Sequence, residues 1–388
     1  MSPENIWKWA QMKGITVIGS GDFTHPGWFR ELRDNLDSEG NGLFKLKRGL
    51  VKCDLPVSCR ADVFFLLSAE ISCIYSKNGK TRKIHSIIFA PGFDDAARIS
   101  AALSKIGNLG SDGRPILGLD AKELLKIVLD SSLDAILVPA HAWTPHFSIF
   151  GAASGFDSFE ECYEELTPHI PAIETGLSSD PSMNWRLSHL DGITLISNSD
   201  AHSPAKIGRE ANIFDTEISY AAMMEAIRTR NGFLGTIEFF PEEGKYHYDG
   251  HRACGISLPP GETKKHGYLC PVCGKKLTVG VMHRVEELAD REEGFRPPDK
   301  PPFYSIIPLP EIIAETMKVG VSSRKVGSEY MRLLEALGNE LSILMDSPLN
   351  EIEKTSSPLL SEAVSRVRAG KISISPGFDG EYGKIKIF

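Results

Sequence analysis

Short apolar runs, each bounded by turn residues and a polar side chain, recur through the first 240 residues. Ile15-Thr16-Val17-Ile18 leads to Gly21-Asp22-Phe23-Thr24-His25, Val63-Phe64-Phe65-Leu66-Leu67 leads to Glu70, and His85 opens Ser86-Ile87-Ile88-Phe89. Ala135-Ile136-Leu137-Val138-Pro139 leads to His141, Ile170-Pro171-Ala172-Ile173 ends at Glu174, and Ile193-Thr194-Leu195-Ile196 precedes Ser199-Asp200-Ala201-His202. Runs of this length predict buried strands. In barrels of parallel strands the chemistry collects at one strand edge. A lone His or Asp there commonly caps a turn; six runs, each with a metal-capable side chain at one end, form a pattern.

Helical periodicity fills the gaps. Ser2 is a candidate N-cap with Pro3 at the first helical position, and residues 94–106, 121–129, 159–166 and 218–228 read as helices. Residues 44–59 are basic and irregular, 110–115 form a loop, and 233–239 read as a closing strand. A helix followed directly by a strand at Ile15 implies a preceding strand. The expectation is therefore an α/β chain whose residues 1–244 form a barrel lacking its first strand.

Beyond residue 244 the pattern changes. His251-Arg252-Ala253-Cys254-Gly255 and Cys270-Pro271-Val272-Cys273-Gly274 share one spacing, ligand, two residues, ligand, glycine. Paired knuckles of this kind close a tetrahedral zinc site, and the glycine permits the tight turn. His251, Cys254, Cys270 and Cys273 are the candidate ligands of a structural Zn2+ in a ribbon over 245–290, with His247, His266 and His283 as competitors for the fourth position. A redox Cys-x-x-Cys is the rival reading, but no strand–helix context of the thioredoxin kind surrounds it. Residues 291–303, rich in Pro and charge, read as a linker. Residues 304–388 read as mainly helical, with helices at 309–318, 328–344 and 359–368 and two short strands at 371–374 and 384–388.

Composition narrows the class only modestly. The 388 residues are 41% hydrophobic and 24% charged, as in ordinary globular proteins. No apolar run approaches the roughly 20 residues that span a bilayer, and no signal-peptide pattern opens the chain, so a cytoplasmic protein with no membrane partner is expected. Cys53, Cys59, Cys73 and Cys162 are scattered and read as reduced thiols. The net charge of −8 speaks against a general nucleic-acid binder, yet it is uneven. Residues 1–244 carry 23 Lys and Arg against 32 Asp and Glu, whereas 245–284 carry 7 against 2. A basic module on an acidic, metal-binding body suits a nucleic-acid grip, or equally a solvated surface.

Imidazole suits zinc and iron, and carboxylates suit manganese and magnesium, so Asp, Glu and His gathered at one edge predict divalent ions. Ions about 3.5–4 Å apart can activate a water and polarise a phosphoryl oxygen together. With no phosphate-cradling glycine loop and no Ser or Cys nucleophile motif, metal-assisted hydrolysis is the chemistry these residues suit. The series Gly21-Asp22-Phe23-Thr24-His25-Pro26, Glu70, His85, Pro139-Ala140-His141 and Ser199-Asp200-Ala201-His202 resembles the ligand series of the polymerase-and-histidinol-phosphatase (PHP) superfamily. Residues 2–29, 141–161 and 174–212 are similar to the endonuclease Q family of PHP-type DNA repair nucleases, a resemblance that continues to the C-terminus.

The resemblance implies a distorted seven-stranded PHP barrel, two or three divalent ions (Zn2+, Mn2+ or Mg2+), and incision of DNA on the 5′ side of uracil, hypoxanthine or an abasic site. It implies lesion-containing DNA as partner, beside other repair or replication proteins. Asp22, His25, Glu70, His85, His141, Asp200 and His202 match seven of the family's nine ligand positions. The first motif, His-x-His, is absent, and the expectation is a misassigned start codon or a truncated chain. His146, Glu174 and Arg209 are candidates for contacting substrate. Their ordinary alternatives are a surface histidine, a residue ordering nearby backbone, and an arginine salt-bridged to Glu210 or another acid. Trp143, Phe147 and Phe150 are candidates to stack on an extruded base or to pack in the core. A PHP phosphatase for small phosphoesters and a non-catalytic DNA-binding relative are the competing functions.

Overall fold

Strands and helices alternate less regularly than the apolar runs predict. The computed structural model describes residues 2–51, 54–111 and 114–388, so Cys53 and two residues of the 110–115 loop, Asp112 and Gly113, lie outside the described residues. Helix α1 (Pro3–Lys13) starts where Ser2 Oγ accepts the Asn5 amide and stops at Gly14, whose φ of 90° suits a residue without Cβ. It leads into β1 (Val17–Gly19), α2 (Pro26–Asn35) and the hairpin β2 (Leu36–Ser38) and β3 (Phe44–Leu46). That hairpin replaces part of the irregular stretch expected over 44–59, because Leu36, Phe44 and Leu46 alternate inward.

The largest departure is a long antiparallel hairpin, β4 (Phe64–Lys77) and β5 (Lys80–Ala90). Its turn is Asn78-Gly79, with φ of 54° and 72°, the left-handed pair that matches the twist of a hairpin. Glu70 and His85 therefore lie in the middle of long strands and not at strand ends, as the apolar runs suggested. The core-facing residues of the hairpin, Phe65, Leu67, Ile71, Ile84 and Ile88, are fully buried. Each contributes roughly 1.5–3 kcal/mol relative to exposure.

Helix α3 (Phe93–Leu103), β6 (Ile116–Leu117), α4 (Ala121–Ser131) and β7 (Ile136–Pro139) complete a seven-stranded sheet ordered β2-β3-β4-β5-β7, with β1 and β6 both pairing β4. Only β1–β4 and β4–β6 are parallel in it. After α5 (Phe159–Tyr163), β8 (Ala172–Glu174) and, beyond α6 (Pro181–Asn184), β9 (Thr194–Ile196) form a separate parallel pair. Strand β10 (Ala211–Phe214), α7 (Tyr220–Thr229) and β11 (Phe233–Glu238) follow. The closing strand expected at 233–239 pairs instead with β10 and, in parallel, with a later strand at Phe303–Ser305. Among the described residues no single hydrogen-bonded barrel closes; the architecture is a mixed α/β fold of several packed sheets.

The ribbon segment contains β12 (Asp249–His251), β13 (Ile256–Leu258), α8 (Pro260–Lys265) and α9 (Val281–Leu288). Val281 and Val285 of α9 join the main core. Past β14 (Phe303–Ser305) come α10 (Leu309–Met317), α11 (Arg324–Leu337), α12 (Glu340–Met345), α13 (Leu349–Thr355) and α14 (Pro358–Arg368), then the hairpin β15 (Ser373–Ser375) and β16 (Lys384–Lys386). The single helix expected over 328–344 is broken at Gly338, φ 101°, where Asn339 caps α12. These helices pack around Ile312, Leu333, Leu334, Ile343 and Val364, with Met12 of α1 in the same cluster. Lys13 and Glu340 seal that joint as a buried ion pair at 2.5 Å, and Tyr330 donates to the same carboxylate at 2.8 Å. Among the described residues, no helix is long and apolar enough to cross a membrane.

Candidate active site

Three of the residues singled out by their place after apolar runs hold a left-handed backbone: Asp22 (φ 44°), His141 (φ 31°) and Asp200 (φ 41°). Each non-glycine residue there costs on the order of 1–3 kcal/mol, and such strain persists only where neighbours enforce it. Around Asp22, Ser68 Oγ accepts the Gly21 amide at 3.0 Å and the Trp28 indole donates to the Gly21 carbonyl at 2.8 Å. Around His141, the Glu174 carboxylate accepts the His141 amide at 2.8 Å. Around Asp200, the Arg209 guanidinium donates to the carbonyls of Ser199 and Asp200 at 2.8 and 3.2 Å.

Sheet register brings the tightest group together. Glu70 pairs with Ile87 and His85 with Ser72, so Glu70 and His85 are diagonal neighbours on one face, and β7 beside β5 leads directly to His141. Glu70 Oε1 lies 3.1 Å from His85 Nδ1 and 3.3 Å from His141 Nε2, and the two imidazole nitrogens are 3.0 Å apart. A tetrahedral ion with bonds near 2.0–2.1 Å needs donor separations of about 3.3–3.4 Å, so a few tenths of an ångström of expansion would fit this trio to zinc or a similar ion. Thr144 Oγ1 lies 3.0 Å from His141 Nδ1 and orients that ring, as partners of metal-binding histidines commonly do.

Electrostatics ties the remaining candidates to this trio. Burial would raise the Glu70 carboxyl, but hydrogen bonds from His141 and His85, with Arg114 nearby, hold it well below the usual carboxylate range. Burial lowers the His85 pKa; at His141 the Glu70 carboxylate outweighs burial and raises it. Burial and the charge of Glu70 push Asp22 up, while Arg114, His25 and His202 pull it down, so these groups share one field. Asp200 Oδ1 lies 3.6 Å from Arg114 Nη2. His25 Nδ1 accepts the Trp28 amide at 3.2 Å as the cap of α2. A neutral imidazole bonded in that way carries its proton on Nε2, so in this conformation His25 is a donor and must turn to ligate an ion. His202 is exposed, its Nδ1 3.0 Å from the Asp200 carbonyl oxygen.

The substrate candidates separate. His146 is exposed. Glu174 is buried behind His141, where burial raises its pKa to about 7, and it also accepts from Asn198 Nδ2 at 2.9 Å. Arg209 spends its donors on backbone carbonyls rather than on a salt bridge to Glu210. Trp143 and Phe150 are fully buried, stacked 5.1 Å apart, whereas Phe147 lies against the His85 ring at 4.6 Å. Arg114 was not singled out by any pattern: between Gly113 and Pro115 it reads as part of a bare loop.

Comparisons with known proteins bear on this arrangement. A family model described as PHP-associated matches residues 184–231, and one described as MJ0043 C-terminal domain matches 308–371. An uncharacterized protein, MJ0043 of Methanocaldococcus jannaschii, is 33% identical over 270 residues; the match takes in 67% of this chain and only 33% of that protein, so the chain spans about a third of its length. The uncharacterized protein YqxK of Bacillus subtilis is 29% identical over 385 residues, 97% of this chain and 90% of YqxK. The crystal structure of the lesion-specific endonuclease PfuEndoQ from Pyrococcus furiosus superposes with a TM-score of 0.86 at 28% identity, covering 100% of this chain and 90% of that one. The chain is an endonuclease Q-like PHP protein. A second endonuclease Q structure, in complex with a 27-mer duplex carrying an abasic lesion at the active site, matches with a TM-score of 0.83 at 28% identity, over 100% of this chain and 92% of that one.

The endonuclease Q-like chain has a second group able to hold a metal. Ligand atoms of His251, Cys254, Cys270 and Cys273 all lie within 4.8 Å of one another. Gly255 and Gly274 follow the second candidate ligand of each knuckle with φ of 65° and 69°, a conformation that favours glycine. Although burial opposes it, the amides of Cys273 and Val272 pointing at the Cys270 sulfur bring its pKa down to about 7, so the thiolate is accessible near neutrality. The competing histidines lie elsewhere: His283 is buried against Asp249 at 2.7 Å, His247 is buried, and His266 ends α8. Arg284 of α9 donates to the carbonyls of Phe150 and Phe156, docking the ribbon on the loop that follows His141.

Proposed function

We propose that this chain is a metal-dependent DNA repair endonuclease that incises on the 5′ side of uracil, hypoxanthine or an abasic site. The observation that carries the proposal is the trio Glu70, His85 and His141, with Asp22 and Asp200 in the same field, inside a fold that follows lesion-specific endonuclease Q along the whole chain. We read the packed sheets as an open, PHP-type barrel whose rim carries the site. Asp22, Glu70, His85, His141 and Asp200 would hold two or three divalent ions, with His25 and His202 joining after a ring rotation. Ions held there supply a polarised water and offset charge on the phosphoryl oxygens.

The chain's own contribution is placement. Glu174 and Thr144 fix His141 through its amide and its ring, and Arg209 fixes the turn that presents Asp200. Holding these groups ready before substrate arrives is where a positioned site gains its rate. His146 and Phe147, on the loop after His141, stand at the rim where an extruded nucleotide would enter, and damaged or unpaired bases cost least to extrude. The ribbon, loaded with Zn2+, presents Lys264, Lys265, Lys275 and Lys276 as a grip on flanking phosphates.

Duplexes carrying one uracil, hypoxanthine, abasic site or no lesion, incubated with the chain and Mn2+, Mg2+ or Zn2+, test this reading. A nick 5′ of the lesion and none in the undamaged duplex is the expected result. Turnover of a nitrophenyl phosphate without nicking, or binding of the duplex without incision, would refute it.

A further inference from the structure

Among the described residues, Arg114 is the one Lys or Arg that touches the Glu70, His85 and Asp200 donor groups with its side chain. Its Nη2 lies 2.5 Å from Glu70 Oε2 and 3.6 Å from Asp200 Oδ1, and its Nη1 lies 3.1 Å from His85 Nδ1. Glu70 is thereby divided: Oε1 faces the two imidazoles and Oε2 faces the guanidinium. A guanidinium offers only donors. Arg114 Nη1, Glu70 Oε1 and His141 Nε2 all lie within 3.1 Å of His85 Nδ1, so the guanidinium, which cannot itself ligate, stands in the space a divalent ion bound at that nitrogen would take. Arg114 and an ion at His85 Nδ1 exclude one another.

Charge leads to the same conclusion. Without a cation, Glu70, Asp22 and Asp200 would crowd three carboxylates around two imidazoles, and the Arg114 charge bears on Asp22, Glu70, His85 and His141. An arginine fork suits two acceptors at once, which a point-like ammonium does not. The Arg114 side chain keeps about a quarter of its surface exposed, 26%, so it has solvent to move into.

We infer that Arg114 is a positioning residue of this site: it holds Glu70, Asp200 and His85 in place as a stand-in cation and is displaced from His85 and Glu70 when a divalent ion binds. The inference rests on the reading that the trio takes divalent ions. It makes the site's metal affinity the difference between two occupants, so removing the internal competitor tightens binding by the coupling between them.

Titration of Mn2+ into the full chain, its ribbon loaded with zinc, followed by the electron paramagnetic resonance of free Mn2+, tests this without any turnover. Arg114→Gln is expected to bind Mn2+ about tenfold more tightly than the parent. Arg114→Lys, which keeps the charge but cannot span both acceptors, is expected to fall between them. Equal or weaker Mn2+ binding by either variant would overturn the inference, and if Arg114→Gln fails to fold, Arg114→Lys alone decides. Lesion incision by the parent chain with unchanged Mn2+ affinity in the variants would sink the inference and leave the proposed function standing. The predicted tightening in a chain that nicks no lesion would do the reverse.

Discussion

At the residue scale, the site is built from strained turns and the side chains that restrain them. Asp22, His141 and Asp200 each occupy a backbone region that L residues avoid, and each is tied down by a neighbour. Removing a restraint should therefore act on rate before it acts on stability. Arg209→Ala is expected to lower kcat by roughly ten- to a hundredfold through loosening of the Asp200 turn, with KM for duplex nearly unchanged, in steady-state incision assays. Asp200→Asn is expected to abolish incision while zinc content and the circular dichroism spectrum stay those of the parent. The positions of Asp22, His141 and Asp200 after apolar runs mark them as candidates in the sequence, but their left-handed backbone and its restraints carry no sequence signal. Arg114 and Thr144 are unmarked: Arg114 acts through Glu70, His85 and Asp200, all distant in sequence, and Thr144 acts on His141 only three residues earlier, a spacing that marks no site by itself. Arg209 was noticed for its charge, yet its donors go to carbonyls, which no spacing reveals.

At the element scale, one dipeptide separates expectation from structure. Asn78-Gly79 is a strong hairpin signal between apolar stretches, and reading it would have placed Glu70 and His85 on one long antiparallel ribbon. The parallel alternation inferred from strand ends failed there, whereas helices α1, α4, α7 and α10 lie close to where their periodicity and caps put them. The break at Gly338 went unread because apolar spacing continues across it. The clustering of His251, Cys254, Cys270 and Cys273 follows the two knuckle spacings, a local constraint that needs no tertiary context. The docking of this segment through Arg284 follows from no such spacing. Cys270→Ser is expected to lose the ribbon's zinc and to weaken duplex binding several-fold, mostly at low salt, while the cooperative unfolding of the rest persists. Metal analysis and fluorescence anisotropy check this.

At the scale of the whole molecule, buried acids set the response to pH. Glu238 lies fully buried, accepting from Thr175 Oγ1 at 3.0 Å and Ser197 Oγ at 3.2 Å, and burial raises its pKa from 4.5 to about 8. Asp180 and the buried Glu210 add like charge nearby. The folded chain thus holds a proton here that the unfolded chain releases. The stabilisation is complete below the unfolded value of 4.5 and is lost as pH rises through about 8. Glu174 and Glu243, raised to about 7 by burial, act in the same direction. Glu238→Gln is expected to flatten part of that decline and to raise Tm by a few degrees at the alkaline end, with no gain near the unfolded value, in melts across this range.

All of this depends on distant acids and imidazoles meeting around a cation. Crystals soaked in Mn2+ and measured at the manganese absorption edge test that most directly. The expected result is an anomalous peak within bonding distance of Glu70, His85 and His141, with the Arg114 guanidinium turned away from it. A map with no peak at that trio, in crystals whose surface sites have taken up manganese, would contradict it.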